Sequence, residues 1–144
     1  MIAVRTLAGD EAAAWEARLG EILSACVEGG ASVSFLRPFT PVDGARYYAG
    51  LREGFRTGKR LLLADFSEGR LVGSVQLVLD LPPNQPHRAE VAKLLVDPAA
   101  RGRGVAQQLM EALEDAARKH GRTLLVLDTV PGMAADRLYR RLGY

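Results

Sequence analysis

The sequence is poor in several residues whose abundance marks common protein classes. Its 144 residues contain one cysteine, Cys26, and two histidines, which excludes an internal disulfide framework and a Cys/His cluster with zinc spacing. It has neither a signal-peptide pattern nor an apolar stretch long enough to cross a membrane. The net charge is only +2 and no long basic run is present, so no nucleic-acid partner is expected. We therefore expect a cytoplasmic protein without a bound metal or a membrane partner.

The residues that are present are those of an ordinary globular domain. Hydrophobic residues make up 48% of the chain and charged residues 25%, as in typical soluble proteins. A chain of 144 residues is long enough to bury a core of its own. No repeat, linker or low-complexity tract divides it, so we expect residues 1–144 to form a single domain.

The first half of the chain predicts a strand and two helices. Apolar and polar residues alternate over Ile2–Leu7, which is typical of a strand. Asp10 is expected to cap a helix whose apolar stripe runs from Trp15 to Val27. A second helical pattern runs from Pro41 to Phe55 and ends at Gly58.

The second half predicts three strands, a helix, a further strand and a last helix. Two apolar runs flank the turn Ser67–Glu68–Gly69, which indicates a β-hairpin, and a third strand ends at Pro98. A helix follows with Val105, Leu109 and Leu113 on one face, supported on the other by i,i+4 pairs from Glu114 to Arg118 and from Asp115 to Lys119. Thr123–Asp128 is apolar nearly throughout, as in a strand covered on both faces, and Met133–Leu142 predicts the last helix. The order β-α-α-β-β-β-α-β-α indicates an α/β fold with a mixed sheet.

The start of the helix near residue 105 combines two unfavourable features. Arg101 and Arg103 lie where the helix dipole is positive, and Gly102 and Gly104 interrupt the first turn. Both features have a cause if the free N–H groups and the arginines bind a phosphate that the glycines allow to approach. The alternative is a solvated basic turn. Neither a P-loop nor a dinucleotide fingerprint fits, because Val105–Ala106 supplies neither motif.

The stretch from Arg101 to Ala106 resembles the Arg/Gln-x-x-Gly-x-Gly/Ala motif of the GNAT superfamily of N-acetyltransferases. The order of elements is also similar to that family, and the chain resembles the branch that contains the tabtoxin-resistance acetyltransferases. The resemblance implies a GNAT-like mixed sheet flanked by helices, with acetyl-coenzyme A (acetyl-CoA) as the cosubstrate. Backbone groups of one strand segment would pair with the pantetheine arm, and those of the turn would hold the pyrophosphate. These residues are Leu94, Leu95 and Val96 for the arm, and Arg101, Gly102, Arg103, Gly104, Val105 and Ala106 for the pyrophosphate.

Two acids on strands and one tyrosine are the candidate catalytic residues. A carboxylate in a buried strand is costly unless it is paired or solvated, which draws attention to Glu90 and Asp128. The alternation of β-strand side chains predicts that Glu90 shares a face with Leu94 and Val96. The resemblance implies that the two acids remove the proton of the amine and that Tyr139 protonates the departing thiolate.

Each candidate also has a purely structural interpretation. Glu90 could form a salt bridge with Arg88 or Lys93, Asp128 could cap a strand end, and Tyr139 could pack in the core.

The resemblance implies an enzyme that acetylates a small-molecule amine such as a toxin or an antibiotic. The chain departs from the family at two points, and the second favours the alternative, a coenzyme A-binding module or truncated form without turnover. Gly132 stands where many relatives carry an asparagine, and the chain stops at Tyr144, where the family continues through two more strands. A sheet that lacked them would keep an open edge, so we expect a homodimer or another association that covers it.

Overall fold

A five-stranded mixed sheet forms the centre of the structure. The computed structural model describes residues 2–28, 38–80 and 88–127. The strands occur in the spatial order β1-β2-β3-β4-β5; the first four pair antiparallel, and β4 pairs with β5 in parallel. The predicted mixed sheet is therefore confirmed. The strands are β1 (Ile2–Leu7), β2 (Arg60–Ser67), β3 (Arg70–Val78), β4 (Arg88–Val96) and β5 (Leu124–Leu127).

The two helices predicted before the hairpin are each divided in two. The helices are α1 (Gly9–Ala14), α2 (Glu16–Glu28), α3 (Pro41–Ala49), α4 (Arg52–Thr57) and α5 (Val105–Lys119), with a short 3₁₀ turn at Pro98–Ala100. Trp15 leaves helical geometry at φ −101°, ψ 6°, where its ring meets Phe66 edge-on at 5.2 Å. Leu51 breaks the second pair at φ −101°, ψ 2°. The expected cap at Asp10 is wrong, because Ala8 is the N-cap and Asp10 lies in the first turn.

The start of α3 is fixed by a capping box. The backbone N–H of Asp43 donates to Thr40 Oγ1 at 3.1 Å, and the backbone N–H of Thr40 donates to Asp43 Oδ2 at 2.9 Å. These bonds satisfy two donors that a helix start otherwise leaves free. Gly58, at φ 76°, ends α4 as predicted.

The hairpin between β2 and β3 turns through two residues. Glu68 and Gly69 have φ angles of 51° and 79°, as a type I′ turn requires at both central positions. The predicted hairpin is confirmed, although Ser67 still belongs to β2.

Helices cover both faces of the sheet. One face packs under α5, whose predicted apolar side chains are buried, and the other face packs under α1 to α4. Within the second layer α2 and α3 touch through their backbones at two glycines. A Cβ built on Gly20 would lie 2.4 Å from the nitrogen of Ala45, and one on Gly44 would lie 2.3 Å from the oxygen of Gly20. This approach is possible only without side chains at both positions.

Two expectations for the C-terminal half are wrong. Arg118 pairs with Asp115 at 2.7 Å rather than with Glu114, because residues three apart on a helix are also neighbours. Leu124 is 57% exposed, so the described part of β5 is not covered on both faces. The predicted helix Met133–Leu142 lies outside the described residues.

Candidate functional site

A β-bulge divides β4 into two halves. Ala92 is paired with Gln76 of β3, and Leu95 is paired with Ser74. β4 therefore has one more residue than β3 between these two pairs, and Lys93 has a φ angle of 53°. The extra residue moves the following side chains to the opposite face.

The bulge corrects the predicted orientation of Glu90. Register with β3 places Glu90 on the same face as Leu95, under α1 to α4. Leu94 and Val96 pack on the other face, against the core under α5. The expectation that Glu90 shares a face with Leu94 and Val96 is therefore wrong, because uninterrupted alternation does not hold through the bulge.

The end of β4 is fastened to α2 by an arginine. Arg18 is only 13% exposed in its side chain and forms an ion pair with Asp97, while its Nε donates to the carbonyl of Leu71 at 2.9 Å. Asp97 Oδ1 also accepts from the N–H of Ala99 at 3.0 Å. Burial alone would raise the pKa of Asp97, but the Ala99 N–H and the Arg18 guanidinium together hold it below its ordinary value. These contacts hold the backbone in place immediately before the arginine-glycine turn.

The turn itself requires its glycines. Gly102 and Gly104 have φ angles of 81° and 79°, and a Cβ at either position would meet no atom within 4 Å. The glycines are needed for their left-handed backbone, since non-glycine residues adopt it at a cost of roughly 1–2 kcal/mol. Gly104 is the N-cap of α5 and supplies no side-chain hydrogen bond, and the first turn of α5 contains no acid. The positive end of this helix is therefore compensated neither by a side-chain cap nor by an acid of its own first turn.

Both arginines of the turn are exposed. Arg101 also approaches α2, with Nη2 at 3.9 Å from Cys26 Sγ. The thiol of Cys26 donates to the carbonyl of Val96 at 3.4 Å. Burial raises the pKa of the Cys26 thiol despite the nearby guanidinium, so this cysteine is a protonated packing group rather than a nucleophile.

Glu90 has a partner within its own strand. Arg88 Nη2 lies 3.4 Å from Glu90 Oε1, and the Glu90 side chain is 43% exposed. This ion pair with Arg88 confirms one of the two pairings given above as the structural alternative for Glu90. The role of Glu90 as a base stays a prediction. Asp128 and Tyr139 lie outside the described residues, so their roles stay predictions.

The structure also shows polar residues that sequence reasoning missed. Gln76 is 0% exposed. Its Oε1 accepts from Arg60 Nη1 at 2.5 Å, and its Nε2 donates to Tyr47 Oη at 3.2 Å. Burial raises the pKa of Tyr47, which keeps its hydroxyl protonated. This network connects β2, β3 and α3, so no local sequence pattern could reveal it.

A second missed residue is a buried acid on the face under α5. Asp65 is 0% exposed, and within the described ranges neither carboxylate oxygen forms a regular hydrogen bond, although the backbone N–H of Phe66 offsets part of the effect of burial. It is paired in register with Val4 of β1 and Gly73 of β3, neither of which carries a polar side chain. Burial raises the pKa of Asp65 to about 6.

Over the described ranges, the side chains form no group of three or more His, Cys, Asp or Glu that could hold a metal ion. None of the helices in those ranges is long and apolar enough to span a membrane.

The geometry is typical of an α/β protein that binds the phosphates of a coenzyme, because a strand leads through a glycine turn into an uncapped helix. Comparison with known proteins gives the family. The sequence model of the acetyltransferase (GNAT) family matches residues 31–144, and the chain belongs to this family. The resemblance noted from the Arg101–Ala106 motif is thereby confirmed.

Characterised relatives and a solved structure are similar to most of the chain. An L-methionine sulfoximine/L-methionine sulfone acetyltransferase from Pseudomonas paraeruginosa is 34% identical over 107 residues, 73% of this chain and 62% of its own. An IAA acetyltransferase from Azospirillum brasilense is 35% identical over 86 residues, 59% of this chain and 54% of its own. The chain thus matches less than two thirds of either relative. A Salmonella typhimurium protein solved with its cofactor acetyl-CoA shares the fold, with TM-score 0.78 and 21% identity over 99% of this chain and 78% of its own.

Proposed function

We propose that this chain is an N-acetyltransferase that moves the acetyl group of acetyl-CoA to the primary amine of a small molecule. Membership of the acetyltransferase family supports the reaction class. The relative that acts on L-methionine sulfoximine and sulfone supports a small acceptor. The observation that carries the proposal is the start of α5, where an uncapped helix, two glycines with positive φ and two arginines converge.

This start of α5 fits a pyrophosphate. The free N–H groups of the first turn and the helix dipole favour a dianion at this point. Gly102 and Gly104 leave the approach clear, since nothing lies within 4 Å of their missing side chains. In the proposal, the N–H groups from Arg101 to Ala106 hold the pyrophosphate and the two exposed guanidinium groups neutralise its charge. The backbone of Leu94, Leu95 and Val96 receives the pantetheine arm.

The chemistry requires a proton to leave the amine and another to reach the sulfur. When the amine nitrogen attacks, a C–N bond forms and the thioester C–S bond breaks, so the thiolate leaves with the electron pair. We assign removal of the ammonium proton to Glu90, acting through water, with Asp128 as a second carboxylate base. Tyr139 is the proposed donor to the thiolate. Acetyl-CoA would supply the activated acetyl group.

Release of free thiol from acetyl-CoA, measured with a panel of primary amines, tests the proposal. We expect amine-dependent thiol release together with the acetylated amine as product. In parallel, coenzyme A is expected to raise the unfolding temperature, because a ligand that binds only the folded state stabilises it by RT ln(1 + [L]/Kd). If coenzyme A raises the unfolding temperature but no amine causes thiol release, the proposed acetyltransferase activity is wrong and the chain only binds the coenzyme.

A further inference from the structure

A row of side chains crosses the sheet beside the proposed base. Arg60 of β2 is directly opposite Val78 of β3, and Val78 is directly opposite Glu90 of β4. Directly opposed residues point to the same face, with Cβ atoms about 4.5–5.5 Å apart. A cation and a carboxylate therefore stand on either side of β3, with their strands roughly 10 Å apart.

This row is more exposed than the adjoining part of the same face. Arg60, Val78 and Glu90 are half-buried, and so is Ala92, the next residue of β4 on that face. Gln76, directly opposite Ala92, is 0% exposed. Two small apolar side chains thus form an accessible floor between two charged ones.

The guanidinium of Arg60 is oriented but not neutralised. Gln76 Oε1 accepts one of its hydrogen bonds at 2.5 Å, and Tyr47 in turn accepts from Gln76. Six arginines of the described ranges form ion pairs with acids; Arg60 is not among them. A half-buried cation without an anion is unfavourable unless a partner arrives, and a carboxylate matches the guanidinium fork best.

Arg88 is a second cation on this face, and its position differs. It already pairs with Glu90 at 3.4 Å, so its charge serves the proposed base. From β2, the Arg60 side chain extends diagonally to Gln76 of the adjacent strand β3. This contact brings the guanidinium group toward the apolar floor of the row.

We propose that Arg60, oriented by Gln76 and Tyr47, binds a carboxylate of the acceptor, so the acceptor is an amine that also carries a carboxylate, as an amino acid does. The carboxylate lies on the guanidinium of Arg60, and the amine faces Glu90 across Val78. This inference rests on the proposed acetyltransferase function and names its substrate class. It makes Arg60 a specificity-determining residue.

The test compares carboxylates with their amides. The probes are L-methionine, L-glutamine, L-lysine and L-phenylalanine, each paired with its own carboxamide, and kcat/KM is measured with saturating acetyl-CoA. Arg60→Gln is expected to lower kcat/KM for the acids by roughly 10- to 100-fold, the range of a lost charged hydrogen bond. Arg60→Lys keeps the charge but not the fork, so it is expected to recover part of the loss. Lys59→Gln removes the same charge from an adjacent exposed residue and is expected to leave kcat/KM unchanged.

Acetylation of the amides serves as the internal control for folding, since Arg60→Gln is expected to leave it within about threefold. An equal loss for acids and amides would overturn the inference while leaving the acetyltransferase intact. If no amine is acetylated at all, the proposed function fails, and NMR titration of the same acid and amide pairs still decides the role of Arg60. Wild-type protein that binds no acid more tightly than its amide would then refute it.

Discussion

The buried carboxylate of Asp65 should make the stability of this protein depend on pH in an unusual direction. The side chain is 0% exposed, and neither oxygen forms a regular hydrogen bond with the described part of the chain. Its neighbours in register are Val4 and Gly73. Above Gly73, the side chains of α5 that approach are Val105 and Leu109, both apolar. None of these neighbours carries a positive charge, and the backbone N–H of Phe66 offsets only part of the effect of burial, so folding favours the protonated acid.

The size and sign of the effect follow from linkage. A pKa raised from 3.8 to about 6 corresponds to roughly 3 kcal/mol at about 1.4 kcal/mol per pKa unit. Between these two values the folded state binds more protons than the unfolded chain, so the free energy of unfolding falls as pH rises. The stabilisation from protonated Asp65 is complete below pH about 3.8 and is lost above pH about 6.

Asp65→Asn removes the titration while keeping the shape of the side chain. We expect the variant to gain stability over wild type progressively from pH 4 to pH 7, by up to about 3 kcal/mol. Urea unfolding at each pH gives the difference directly, and subtracting the two curves cancels the titration of all other acids. Asp80→Asn, at an exposed acid, serves as the matched control and should show no such trend. Parallel curves for wild type and Asp65→Asn across this range would refute the reasoning.

Three further predictions concern the helix contact and the proposed site. Gly44→Ala places a Cβ 2.3 Å from a backbone oxygen, whereas Gly50→Ala finds its nearest atom at 3.4 Å; thermal unfolding should show a loss of roughly 1–3 kcal/mol or more for the first only. The double variant Arg101→Ala/Arg103→Ala should weaken coenzyme A binding about tenfold or more in calorimetry without lowering the unfolding temperature of the free protein, and unchanged affinity would exclude the pyrophosphate assignment. Glu90→Gln should lower kcat at neutral pH by about 10²–10⁴-fold, with a deficit that narrows at high pH as solvent deprotonates the amine; a deficit constant with pH would indicate a structural role.

Local periodicity was sufficient to predict most elements of the fold. The alternation over Ile2–Leu7 and the apolar face of α5 each correspond to an observed element, because burial on one face imposes its period on the sequence. The break at Trp15 could not be predicted in this way. It depends on a ring contact with Phe66, about fifty positions away along the chain.

In the candidate site, too, local features could be predicted from the sequence, whereas contacts between distant residues could not. The turn Arg101–Gly104 could be identified from the sequence, because the free-energy cost of arginine and glycine at a helix start depends only on neighbouring residues. The contact between Arg18 and Asp97 joins residues 79 positions apart, and the position of Arg60 beside Glu90 depends on the register of three strands. Such contacts form only when the sheet has assembled, so no short stretch of sequence can reveal them.

The bulge at Lys93 gives β4 two surfaces that can change separately. Upstream of it, Glu90 belongs to the layer under α1 to α4, and downstream Leu94 and Val96 belong to the layer under α5. A substitution that reshapes the upstream surface therefore meets different neighbours from one that reshapes the downstream surface, and distant changes of this kind tend to add independently. With the proposed assignments, a substitution on the acceptor side of β4 would therefore leave the coenzyme contacts on the other side unchanged.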